Sequence, residues 1–205
     1  MDQPILRRDC LKSAAVAALA AGPLVAAQAQ AEPPAAQPSK PAEPAQDDAM
    51  PCGTIGKLKM SRVILGSNLM GGYSHSRDLR YVASLMRAYN TEEKIFDTLA
   101  LAEAAGINTL SQGDPQLLQK YNATRGGHMQ QILPLKIKVD DDDQTVRDSI
   151  KQLVDQGGVA IYVYGHDGDL LTRAGRVDRI AQAVQWIRDA GLPAGVGGHS
   201  LNVVI

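Results

Sequence analysis

Short apolar runs that end in glycine or polar residues, each followed by a segment patterned as a helix, recur along this chain and limit what it can fold into. Four lie at 63–68, 107–112, 132–140 and 159–167, and a fifth at 194–200 repeats the form. Buried strands alternating with amphipathic helices describe a parallel α/β sheet, because parallel neighbours need a long crossover where antiparallel ones need only a hairpin. Polar residues gathered where the strands end mark where such folds keep their chemistry.

The helical segments carry start and stop signals. Thr91-Glu92-Glu93 opens one acid-first, Ile95, Leu99 and Ala102 form its apolar stripe, and Gly106 closes it. Asp114-Pro115 opens a second with a capping carboxylate and a proline in the first turn, followed by Leu117, Leu118 and Tyr121. Val146, Ile150, Leu153 and Val154 mark a third that Gly157 closes, and Val177, Ile180, Val184 and Ile187 a fourth that Gly191 closes.

The first fifty residues read differently. Arg7-Arg8-Asp9-Cys10-Leu11-Lys12, followed by an alanine-rich apolar run at 13–27, resembles the bacterial twin-arginine (Tat) signal. Small residues at Ala27, Ala29 and Ala31 suit cleavage, so residues 1–30 are expected to be a signal peptide that engages the Tat translocase. The run is shorter and less apolar than the roughly 20 residues of a spanning helix, so no stable membrane insertion after cleavage is expected. Residues 31–50, rich in Pro, Ala, Gln and Glu, bury too little surface to offset ordering and read as a disordered linker. The expected destination is periplasmic or otherwise extracytoplasmic. Loss of Cys10 with the signal leaves Cys52 alone, so the fold must rest on its core.

Net charge is −1 and the basic residues are scattered, which excludes a nucleic-acid footprint and a cationic membrane face. The one dense charge run, Asp140 to Asp143, reads as a solvated loop entering a helix N-terminus, with a cation site as the alternative.

Five strands and four helices over residues 51–205 fit an open doubly wound sheet or part of a (β/α)8 TIM-type barrel, which usually needs about 250 residues. The apolar segment 201–205 reads as another helix beginning. The expectation is therefore an α/β chain carrying about the first five βα units of such a barrel, with an exposed sheet edge.

Residues 53–68, Gly53-Thr54-Ile55-Gly56 through Leu65-Gly66-Ser67-Asn68, resemble the opening of aldo-keto reductases, where a small hairpin caps the barrel bottom and leads into strand one. Ala104-Ala105-Gly106-Ile107-Asn108 is similar to that family's approach to strand two. Ile161-Tyr162-Val163-Tyr164-Gly165-His166-Asp167 resembles its fourth strand, and Gly195-Val196-Gly197-Gly198 its fifth.

The resemblance implies an exported oxidoreductase that reduces a small polar or carbohydrate carbonyl with hydride from a nicotinamide, NADP being the cofactor implied. It places His166 as the substrate-orienting histidine and Lys136 as the lysine that assists a tyrosine proton donor. Ser111 stands where the family has an aspartate, Asp114-Pro115 stands where the tyrosine is expected, and Gly197-Gly198 replace a Ser-Asn pair. Tyr73 and Tyr164 are the substitute donors, each from a different strand, and Tyr164 shares strand parity with His166.

Two further readings come from the residues themselves. His75, His166 and His199 fall at the strand ends and His128 at the opposite end. With Asp78, Asp114, Asp167 or Asp169, the first three would supply a divalent-metal site, such as zinc, for a lyase, isomerase or hydrolase. The loop 71–81 is rich in candidates for substrate binding: Tyr73, His75, Arg77, Asp78 and Arg80, beside Gly71-Gly72, which allow close backbone approach. A barrel that binds a small molecule without turnover is the remaining class.

Overall fold

The computed structural model describes residues 49–204. The signal and linker expectations for residues 1–48 lie outside the described residues. Among the described residues no helix is long and apolar enough to cross a membrane.

The described chain opens with an antiparallel hairpin, β1 (Cys52–Ile55) and β2 (Leu58–Ser61), turned at Gly56 with φ 60°. Five strands then form one parallel sheet: β3 (Leu65–Gly66), β4 (Thr109–Ser111), β5 (Gln130–Leu135), β6 (Gly158–Val163) and β7 (Ala194–Val196). Their order in the sheet is their order in the chain, without the reversal that marks a doubly wound sheet. The helices are α1 (Asn68–Gly71), α2 (Tyr81–Tyr89), α3 (Glu92–Ala104), α4 (Pro115–Arg125), α5 (Asp143–Asp155), α6 (Gly165–Arg173), α7 (Val177–Asp189) and α8 (Leu201–Val204).

The signals read from sequence act as expected in four helices. Thr91 caps α3 by accepting from the Lys94 N–H, and Ile95, Phe96, Leu99 and Ala102 are its buried face. The Asp114 carboxylate caps α4, accepting from the Gln116 and Leu117 N–H groups at 2.9 and 3.3 Å, which satisfies donors the helix itself leaves unpaired. Asp142 caps α5 by accepting from the Thr145 N–H at 2.7 Å. Helix α7 buries Ile180, Ala183, Trp186 and Ile187, while Val177, expected on its apolar stripe, is exposed in its first turn.

Three expectations need correction. The strands are shorter than the apolar runs, since each run also includes the loop that leaves the sheet. Helix α2 directly follows the 71–80 loop, and its Tyr81, Leu85 and Tyr89, four residues apart, form an exposed stripe. Helix α6 begins one residue after Tyr164, where a strand end with loop was expected. Its first turn forms because the Tyr164 carbonyl accepts from the Gly168 N–H at 2.8 Å, and Asp167 anchors it by accepting from the Ile137 N–H at 3.0 Å.

The aspartate run is divided among structural duties. Asp141 accepts from the Lys138 N–H, Asp142 is the cap, and Asp143 pairs with the buried Arg179. The helix-entry reading of that run is the one observed.

Two apolar clusters fill the space between sheet and helices. One joins Leu135, Ile137, Val146, Ile150, Ile161, Val163, Leu171 and the buried face of α7; the other joins Ile95, Phe96, Leu99, Leu110, Leu118, Tyr121 and Met129. Each fully buried aliphatic side chain in them contributes about 1.5–3 kcal/mol. Along β5, and along β6 from Ile161 onward, odd-numbered residues such as Leu133, Leu135, Ile161 and Val163 are buried. Even-numbered residues face the other side, as a two-residue period requires.

The hairpin sits at the N-terminal ends of the sheet. The Lys59 carbonyl accepts from the side-chain amides of Asn108, just before β4, and Gln130, at the start of β5. Asn108 Oδ1 also accepts from the Ser61 N–H at 2.8 Å. The C-terminal ends of the strands are left for a site.

Candidate functional site

A cavity of about 510 Å³ opens at the C-terminal ends of the parallel strands. The even-numbered face of the sheet supplies its floor: Pro134 and Tyr162 from within β5 and β6, and Lys136 and Tyr164 one residue beyond them. The Lys136 ammonium stands 5.9 Å from the centroid of the Tyr164 ring. Asn68, Tyr73 and His75 reach it from the region after β3, Gln112 and Gly113 from the end of β4, and Gly197, Gly198 and His199 from the end of β7.

Five residues expected from the sequence therefore come together: Lys136, Tyr164, Tyr73, His75 and His199. His75 holds a left-handed backbone, φ 46°, and its Nε2 lies 3.1 Å from Asn68 Nδ2. A non-glycine residue in that conformation costs on the order of 1–3 kcal/mol and is held only where its surroundings fix it.

His199 is fixed by Asp169 of α6. The carboxylate accepts from the His199 backbone N–H at 3.0 Å and lies 2.7 Å from the ring Nδ1. An ionised carboxylate is acceptor-only, so this contact places a hydrogen on Nδ1 and leaves Nε2 as the free ring nitrogen. Asp169 is buried, and the two bonds from His199, backbone first, hold its carboxyl below the usual carboxylate range. The ring itself is largely exposed on the cavity wall.

Other expected residues stand elsewhere. His166 lies in the first turn of α6, exposed and outside the cavity lining, because the strand alternation that would aim it inward stops at Tyr164 where the helix begins. Arg77 and Asp78 are exposed on the loop and do not line the cavity. Ser111 ends β4, half-buried, and does not line the cavity. Asp114 and Asp167 are committed to the backbone bonds described above. His128 lies in the loop between α4 and β5, at the opposite end of the sheet. Among the described residues no group of three or more His, Cys, Asp and Glu side chains is gathered to hold a metal ion. His75 and His199 share the cavity, but His166 does not join them.

The glycines at the end of β7 have a steric reason. A Cβ on Gly197 would stand 3.0 Å from the Gly165 nitrogen and 3.1 Å from its Cα, and one on Gly168 would stand 2.5 Å from the Gly197 oxygen. The backbones of α6 and of the segment that leaves β7 meet here with little room for side chains.

Gln112 and Tyr162 were not singled out from the sequence. Tyr162 had a readable signal: it interrupts the apolar run of β6 on the same parity as Tyr164. Gln112 had none, since its role depends on a left-handed backbone, φ 61°, that composition does not reveal. Burial pushes the Tyr162 phenol up, against the opposing donation from Gln112 and Ser111. A second cavity of about 320 Å³ adjoins the first, shares Tyr73, Gln112 and Gly113 with it, and runs between the ends of β3 and β4 and the helices α3 and α4.

Compared with known proteins, the chain matches no family model, no curated protein and no solved structure.

Proposed function

We propose that the strand-end cavity is the active site of an exported, aldo-keto-reductase-like enzyme that acts on a small polar or carbohydrate carbonyl, carried on a (β/α)8 type of barrel. The single observation that supports it most is the meeting of Lys136, Tyr164 and the Asp169-held His199 around one cavity at the strand C-termini. The sequential strand order and the hairpin at the opposite end are in keeping with that barrel type.

A carbonyl oxygen in the cavity gains negative charge as it is attacked, and an ammonium beside it stabilises that charge. Lys136 is that ammonium. Tyr164 offers a hydroxyl next to it, and His199, with Nε2 free, is oriented to exchange a proton with a ligand hydroxyl. Reduction would draw its hydride from NADPH. The wall at Gly197-Gly198 has no side chains to grip a nicotinamide amide.

The test is incubation of the full chain with NADPH and a panel of small aldehydes and ketoses, followed by loss of the nicotinamide absorbance. Carbonyl-dependent oxidation that Lys136→Met and His199→Gln abolish is the expected result. Turnover of the same carbonyls without nicotinamide, lost on chelation, would favour the metal-dependent lyase, isomerase or hydrolase reading, which the shared cavity of His75 and His199 keeps in view. Saturable binding without turnover would favour a non-catalytic binding barrel.

A further inference from the structure

Gln112 is a left-handed glutamine held at each of its polar ends. Its N–H donates to the Ile132 carbonyl at 3.1 Å, its carbonyl accepts from Ser67 Oγ at 2.7 Å, and its side-chain Nε2 donates to the Tyr162 hydroxyl oxygen. One residue thus ties together the ends of β3, β4, β5 and β6. Glycine would adopt this backbone without strain. The side chain, then, is what the strain maintains, and its one bond goes to Tyr162.

That bond decides the role open to Tyr162. A phenol oxygen accepts through its lone pairs and donates through one hydrogen. With Gln112 donating to it, the oxygen is already engaged as an acceptor and its hydrogen is left for another partner. Tyr162 is half-buried and lines the cavity on the same face as Tyr164. Burial keeps the phenol protonated, as a donor must be.

We infer that Tyr162 is the hydrogen-bond donor that receives the ligand's carbonyl oxygen, and that Gln112 is the positioning residue that turns it toward the cavity. The inference rests on the reading of that cavity as a carbonyl-binding site. It selects ligands that present an acceptor oxygen to the floor of the sheet over ones that present only a donor.

The probe is hydroxyacetone, titrated into the full chain by calorimetry and followed by NMR with tyrosine carbon-13 labelled at Cζ. A neutral hydrogen bond contributes about 1 kcal/mol, so Tyr162→Phe is expected to weaken binding roughly fivefold, while Tyr89→Phe, on the exposed face of α2, leaves it unchanged. The Tyr162 Cζ resonance should move on binding in the parent chain. In Gln112→Ala, affinity falls and that movement shrinks, a change that a purely structural role would not produce in a chain of unaltered unfolding midpoint. Parent-like affinity in Tyr162→Phe would overturn the inference and leave the cavity reading standing. No saturable binding by the parent chain would overturn both.

Discussion

The contact between Gly197 and Gly165 sets a stability experiment whose size follows from distances. In Gly197→Ala the added Cβ would meet the Gly165 nitrogen at 3.0 Å, its Cα at 3.1 Å and the Val163 oxygen at 3.2 Å. All three are backbone atoms, so no side chain can swing aside, and the ends of β6 and β7 must part by several tenths of an ångström. Overpacking of this kind costs about 1–3 kcal/mol, or roughly a five- to 150-fold shift toward the unfolded state. Urea unfolding of the full chain, followed by tryptophan fluorescence, reads it directly, since Trp186 is the one tryptophan and sits in the larger core cluster. With a slope of about 1–3 kcal/mol per molar urea, the midpoint should fall by about 0.3–3 M, near 1 M for mid-range values of both. Gly53→Ala, whose Cβ meets nothing within 4 Å, is the control and should stay within about 0.5 kcal/mol of the parent. A Gly197→Ala chain as stable as that control would refute the account of why the β7 end is glycine.

Other expectations follow from the same structure. Ile187, fully buried in the larger cluster, should cost about 2–5 kcal/mol as Ile187→Ala in the same urea assay. Tyr121, whose phenol is pushed well above its ordinary value by burial and then by Glu103, stays protonated in the fold while the unfolded phenol ionises. Stability should therefore fall as pH rises above about 10, and Tyr121→Phe should flatten that alkaline decline. Asp169 has its folded carboxyl held low, so its contribution is present above the ordinary carboxylate value of 3.8 and is lost as pH falls toward the depressed one. Asp169→Asn should show a shallower loss of stability on that acid side, measured by urea midpoints at stepped pH.

Much of the architecture was legible because its signals are local. The caps at Thr91 and Asp114 and the closing turns at Gly106 and Gly157 are short-range chemistry, and each does in the structure what its neighbours in sequence suggested. The alternation of strand and helix was legible as repetition, while the strand order was not, because a doubly wound sheet and a barrel share that alternation. The start of helix α6 was not legible either, since Asp167, which anchors its first turn, accepts from the backbone of Ile137, thirty residues earlier in the chain. The site divided along the same line. Lys136 and Tyr164 could be placed by counting from a strand end, whereas the Asp169–His199 pair joins a helix to a loop. His166 was misplaced for a related reason: period-two counting was carried past the point where the chain stops being a strand.

The alternation in β6 bears on how the length of this protein can vary. Odd positions such as Ile161 and Val163 belong to the core, and even positions such as Tyr162 and Tyr164 belong to the cavity. A single-residue insertion or deletion inside the strand would exchange the two sets, sending phenols into the apolar layer and aliphatic groups onto the cavity floor. One such irregularity already exists in β6 itself: Gln131 pairs with Gly158 and Ile132 with Ala160, so Val159 is an extra residue at the opening end of the strand, ahead of the alternation from Ile161 onward. Changes in length are therefore expected to survive before the strands begin, at their opening residues or after they end, and not within the stretch from Ile161 to Tyr164. The segment 71–80, which carries Tyr73 and His75, is where related chains would differ in size and, through it, in what they bind.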